Sequence, residues 1–113
     1  MSISTSGLNV TSISTSDLKR MRKHAGEAVS MMRALSHEAR LLVLCELTGG
    51  ECTAGALVER SGLSQSALSQ HLAKLRDEGL VATRREAQSV FYRIADPKAA
   101  RLLHVLHEIY CKR

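Results

Sequence analysis

The sequence predicts a mainly α-helical chain with a small β-hairpin wing, the winged helix-turn-helix class, in the order α-α-α-α-β-β-α. Three observations predict it. Apolar residues recur near a period of 3.6 along most of the chain. Two such segments, one short and one longer, are separated by the glycine-bearing turn Ser61-Gly62-Leu63. Two short runs rich in Val, Thr, Phe and Tyr then flank a polar turn, ahead of a last helical segment.

Residues 1–16 hold nine Ser/Thr and no charge, and Ser2-Ile3-Ser4-Thr5-Ser6 returns as Ser12-Ile13-Ser14-Thr15-Ser16. Such a stretch has too little apolar surface to offset the entropy of ordering, so 1–16 reads as a flexible tail ahead of one domain, 17–113. Ser16-Asp17 opens the first helix, to about 34, with Leu18, Met21, Ala25, Val29 and Met32 at helical spacing. Ser36 is the candidate N-cap of a second helix, 37 to about 48. Its run Leu41-Leu42-Val43-Leu44-Cys45-Glu46-Leu47 is apolar on nearly every side and predicts a buried central helix, stopped by Gly49-Gly50. A short third helix spans 53–60 and closes at Gly62. Ser64 caps a fourth over 65–78, stopped by Gly79. The strands are 81–84 and 90–93, with 85–89 as the turn. Asp96-Pro97, an N-cap followed by a proline suited to the first turn, starts the last helix, to about 111.

At 113 residues the chain is one domain at most, and elongated helices around a small wing would leave apolar faces uncovered, so a homodimer is expected. The 16 Lys/Arg against 11 Asp/Glu give a net charge of +5. Residues 1–60 carry 7 basic and 6 acidic side chains and residues 61–113 carry 9 and 5, which puts the excess beside the hairpin, where it suits a polyanion. Phe91, Tyr92 and Tyr110 are the whole aromatic set, too few for a platform that stacks single-stranded bases. No basic stretch precedes an apolar core at the start and no apolar run approaches a membrane span, so a cytoplasmic protein without membrane attachment is expected. Cys45, Cys52 and Cys111 are an odd number without Cys-x-x-Cys spacing, which speaks against a disulfide scaffold. With no Gly-rich phosphate loop or paired-carboxylate constellation, neither an enzyme nor a cofactor is expected.

The segment 53–79 carries the functional signal. On its longer helix Leu68, Leu72 and Leu75 share one face and must pack inward. The opposite face presents Ser66, Ser69, Gln70, Ala73 and Lys74, with Gln65 in the first turn. Short hydroxyls and two glutamines can reach base edges in a major groove, Gln pairing bidentately with adenine. On the wing, Arg84, Arg85 and Gln88 are candidates for phosphate or minor-groove contact, and Lys74 and Arg76 for phosphate. The candidate DNA-binding set is therefore Gln65, Ser66, Ser69, Gln70, Lys74, Arg84, Arg85 and Gln88. His71, at the edge of the packed face, is expected to hydrogen-bond structurally. Cys52 opens a helix and has no obvious partner.

The stretch Leu35-Ser36-His37-Glu38-Ala39-Arg40-Leu41, then Leu63-Ser64-Gln65-Ser66-Ala67-Leu68-Ser69-Gln70-His71-Leu72-Ala73-Lys74-Leu75-Arg76 and Glu78-Gly79-Leu80-Val81, resembles the ArsR/SmtB repressors over roughly residues 18–113. The resemblance implies a homodimer built from the first and last helices. It would bind an imperfect inverted repeat in double-stranded DNA and be released by an inducer. The family's N-terminal thiolate metal site uses a Cys-x-Cys pair, but Glu51-Cys52-Thr53-Ala54-Gly55 holds one cysteine. The C-terminal-helix site uses Asp-x-His, but this chain reads Asp96-Pro97-Lys98. Both departures count against a family metal site. What remains resembles the dithiol branch of persulfide and redox sensors (SqrR, BigR and HlyU-like), with Cys45 and Cys111 at the matching positions and Arg84 to Tyr92 like its wing.

That resemblance implies oxidation or sulfur bridging of Cys45 and Cys111 by persulfide or polysulfide as the releasing event. Cys45, in its apolar helix, is expected to stay protonated until the partner thiol has reacted. A plain disulfide needs Cα atoms within about 7 Å, and a bridge with added sulfur spans more, which would favour persulfide over peroxide if the pair sits slightly apart. The alternative is a zinc- or copper-responsive repressor using His104, His107 and Cys111. With Glu108 they fall on one stripe of the last helix, opposite Leu102, Leu106 and Ile109.

Overall fold

The computed structural model describes residues 12–111, and the expectation of a flexible tail falls mostly on residues outside that range. Contacts divide the chain into two units, 1–30 and 31–113. The first helix, α1 (Thr15–Leu35), runs from one unit into the other. Ser14, not Ser16, caps it: the Ser14 hydroxyl accepts from the Asp17 amide at 3.1 Å and the Ser14 carbonyl accepts from Leu18. Asp17–Arg20 and His24–Glu27 pair along its exposed surface. Leu18, Met21 and Val29 of this unit are exposed.

In the second unit follow α2 (Glu38–Leu47), β1 (Cys52–Thr53), α3 (Ala54–Ser61), α4 (Gln65–Asp77), β2 (Val81–Glu86), β3 (Ser89–Ile94) and α5 (Pro97–Tyr110). Five helices and a hairpin wing match the expected order among the described residues, with one addition. The two-residue β1 pairs antiparallel with β3, Cys52 opposite Tyr92 and Thr53 opposite Phe91, so the sheet has three strands in the order β1-β3-β2. Thr53 therefore ends a strand while its hydroxyl caps α3 by accepting from the Ala56 amide.

One core joins the helices to the sheet. Val43, Leu44 and Leu47 of α2 meet Leu57 of α3, Leu68, Leu72 and Leu75 of α4, Leu80, Val81, and Ala99 and Leu103 of α5. Leu44, Leu57 and Leu75 are wholly excluded from solvent, and burying a leucine contributes about 1.5–3 kcal/mol.

Several local expectations change. Ser36 does not cap α2; its hydroxyl donates to the Arg33 carbonyl at the end of α1, and His37 is the cap, its Nδ1 accepting from the Ala39 amide. The second helix is not buried all round: Leu42 and Cys45 are exposed, because only the Val43–Leu44–Leu47 side faces the core. On α5 the inward residues are Ala99 and Leu103, with Leu102 and Leu106 half-buried, while Ile109 points to solvent with Val105 and Tyr110. The wing turn is tighter than expected. Strands reach Glu86 and Ser89, leaving Ala87 and Gln88 as a two-residue loop, and Ala87 adopts φ 55°, a left-handed conformation that a Cβ disfavours. No Asn-Gly or Asp-Gly pair announces that turn. No helix among the described residues is long and apolar enough to cross a membrane.

Candidate nucleic-acid interface and thiol pair

The turn between α3 and α4 is shaped by Gly62, left-handed at φ 72°, and by the Ser61 hydroxyl, which accepts from the Leu63 amide. Ser64 then caps α4, its hydroxyl accepting from the Ala67 amide at 3.1 Å. With Leu68, Leu72 and Leu75 buried, the 3.6-residue period turns Gln65, Ser66, Ser69, Gln70, Ala73 and Lys74 outward, and all six are exposed. Serine and glutamine side chains on that ridge can donate and accept, which is what base edges require. Lys74 is not wholly free for phosphate: its Nζ lies 3.9 Å from Glu78 Oε1, as does Arg40 Nη1 from α2. Glu78 thus lies between Lys74 of α4 and Arg40 of α2.

Among the described residues His71 meets a ring rather than a hydrogen-bond partner. Its imidazole lies 4.8 Å from that of His37, tilted by 53°. Partial burial, then the neighbouring His37 and Arg40, hold it below the usual histidine range, so the neutral form is favoured.

On the wing, Arg85 and Gln88 are exposed at the tip. Arg84 is engaged within the protein. Its Nε and Nη2 donate to the Glu51 carboxylate at 2.8–2.9 Å, its Nη1 to Glu86 at 2.6 Å, and its guanidinium lies 4.5 Å over the Phe91 ring. The same contacts hold the Glu51 carboxyl below its ordinary range and the Arg84 guanidinium above its own. No local signal in the sequence points to Glu51 as the partner of Arg84, since the two lie 33 residues apart.

Cys45 on α2 and Cys111, the residue that caps the end of α5, are both exposed. Although exposed, Cys45 is partly shielded by protein, and this desolvation pushes its thiol up; negative charge on Cys111 and on Glu46 raises it further. Cys111, 66 positions further along the chain, is thus close enough for its charge to act on Cys45. Cys52 is the buried cysteine, and it does have a partner: Arg60 Nη1 donates to its sulfur at 3.3 Å. On α5, His104 Nε2 pairs with Glu108 at 3.1 Å. Among the described residues no three His, Cys, Asp or Glu side chains converge as a metal site, so the stripe containing His104, His107 and Cys111 does not assemble one within a single chain.

The family model for bacterial regulatory proteins of the arsR family matches residues 37–83, which run from the cap of α2 through α4 into β2. The transcriptional activator HlyU of Vibrio cholerae is 46% identical over 85% of this chain and 89% of its own length. Among solved structures, the transcriptional repressor BigR from Xylella fastidiosa superposes with a TM-score of 0.80 at 40% identity, covering 85% of this chain and 98% of that one. Reduced HlyU from Vibrio cholerae superposes with a TM-score of 0.77 at 46% identity, covering 82% of this chain and 98% of that one.

Proposed function

The chain belongs to the ArsR family of bacterial regulatory proteins, and from that membership we propose that it is a dimeric transcriptional repressor switched by its two exposed thiols. Two copies, joined through α1 and α5, present two α4 ridges to adjacent major grooves of an inverted-repeat operator. Exposed apolar residues support this use of the helices: Leu18, Met21 and Val29 on α1, and Val105, Ile109 and Tyr110 on α5. Gln65, Ser66, Ser69 and Gln70 read bases; Lys74, Arg85 and Gln88 meet the backbone. The relatives carry both signs of regulation, an activator HlyU and a repressor BigR. Repression is the simpler output, because a reading head joined to a dimer surface can act by occupying its site.

The observation that carries the sensing reading is that Cys45 and Cys111 are both free, exposed thiols, with the charge of Cys111 among the causes that raise the Cys45 thiol. Because Cys45 is disfavoured as a thiolate, the first attack falls to Cys111 at the open end of α5. Its thiolate takes the outer sulfur of an organic persulfide, giving Cys111–S–SH and releasing the thiol. Once Cys45 has been persulfidated in the same way, the terminal sulfur of one residue displaces hydrosulfide from the other and leaves Cys45–S–S–S–Cys111. That bridge ties α2 to α5, and so couples the proposed dimer surface to the helix that packs beneath α4.

The test is DNA binding by reduced, persulfide-treated and zinc-loaded protein, with mass spectrometry of the treated sample. Release by persulfide together with a Cys45–Cys111 crosslink of added sulfur is expected. Unmodified cysteines, or release by zinc alone, would refute the thiol switch.

A further inference from the structure

Arg84 sits where a phosphate contact is expected, yet its geometry serves another purpose. Strand β3 is central in the sheet, and Phe91 on it stands between Thr53 of β1 on one side and Arg84 of β2 on the other. The Arg84 guanidinium lies over the Phe91 ring and grips Glu51, the residue just before β1, along its Nε–Nη2 edge. Its remaining edge holds Glu86, the last residue of β2 before the tip. Every donor-bearing nitrogen therefore faces a carboxylate. The clamp crosses the whole sheet, from the loop after α2 to the outer strand of the wing. Only the pairs Arg85–Val90 and Glu86–Ser89 lie beyond the Arg84–Phe91 pair.

We propose that Arg84 is a positioning residue for DNA binding: the Glu51–Arg84–Glu86 clamp sets the direction of the wing so that Arg85 and Gln88 reach the backbone, and Arg84 itself makes no phosphate contact. This rests on the reading of the chain as a winged DNA-binding protein. The clamp also masks two carboxylates that would otherwise face the polyanion unneutralised. A guanidinium already bound to two carboxylates and stacked on an aromatic ring would have to give up those contacts to meet a phosphate.

The two roles predict opposite signs for one substitution. If Arg84 touched phosphate, Glu51→Gln would remove a nearby negative charge and leave affinity equal or tighter. If Arg84 positions the wing, Glu51→Gln weakens binding despite the more favourable charge. The experiment measures affinity of the full chain, across a salt series, for a labelled duplex selected by the wild-type protein from a random-sequence pool. The variants are Glu51→Gln, Arg84→Glu, Arg85→Gln and the swap Glu51→Arg/Arg84→Glu, with thermal melting as a check on folding. Expected are a loss of about threefold to fivefold for Glu51→Gln, a size typical of an exposed ion pair, and recovery in the swap relative to Arg84→Glu alone. The logarithmic salt slope should stay at the wild-type value for Glu51→Gln and fall by about one for Arg85→Gln. Wild-type or tighter affinity in Glu51→Gln, or no recovery in the swap, overturns the clamp while a weakened Arg85→Gln leaves the wing reading standing. Wild-type affinity in all four variants overturns both.

Discussion

Gly62→Ala tests the turn that aims α4. Gly62 closes α3 at φ 72°, ψ 4°, and a Cβ built on it meets nothing within 4 Å. The cost of alanine is therefore conformational alone. Holding a residue with a Cβ in the left-handed region costs about 1–2 kcal/mol, and the stiffer unfolded chain returns about 0.4–1 kcal/mol, for a net loss near 1 kcal/mol. In a domain of this size that lowers Tm by about 4–8 °C. Gly49 supplies the control. Its Cβ direction is equally open, but its φ lies outside the left-handed region, so Gly49→Ala should be neutral or gain up to about 1 kcal/mol. Urea unfolding followed by far-UV circular dichroism, at fixed protomer concentration because a dimer's stability depends on it, reads both. Equal effects at the two glycines, or no loss at Gly62, would refute the reasoning, since only the sign of φ separates them.

Leu44→Ala, at a side chain with no solvent exposure in the centre of the core, should cost about 2–5 kcal/mol in the same urea assay. A loss under about 1 kcal/mol would mean that α2 is not packed as described. Removing the charge of Cys111 by Cys111→Ser should lower the Cys45 thiol toward, but not to, its ordinary value, since desolvation is the larger cause; alkylation rates of Cys45 across pH should shift to lower pH, and an unmoved profile would mean that the thiols are not neighbours. His71, held below its ordinary range, binds protons more readily in the unfolded chain. Its contribution is full above the unfolded histidine value and is lost as pH falls through the folded one, so wild type should lose more urea resistance than His71→Gln on acidification below about pH 6.5. Parallel pH curves would contradict this.

The proposed DNA-reading ridge was the most legible part of the molecule. Once Leu68, Leu72 and Leu75 are assigned inward, helical periodicity leaves no choice about Gln65, Ser66, Ser69 and Gln70. Both the glycine ends and the Ser64 cap are decided within a few residues, by backbone sterics and one hydrogen bond. The errors came where two local solutions compete. Ser36 and His37 can each cap a helix, and Ser36 was taken by the end of α1. At the wing tip, cross-strand pairing extended the ladder to Glu86–Ser89 and imposed a left-handed turn on Ala87, against its own preference.

The amino-acid order alone settled the helices, the hairpin, the family and the outward ridge, because each depends on neighbours three or four positions away or on a contiguous motif. The reach of the Cys111 charge to Cys45, the exposure of one side of α2, the pairing of β1 with β3 and the grip of Glu51 on Arg84 were decided only in three dimensions. Each joins residues far apart in the chain, and no local propensity encodes which distant partner will complete a charge, a ladder or a thiol pair.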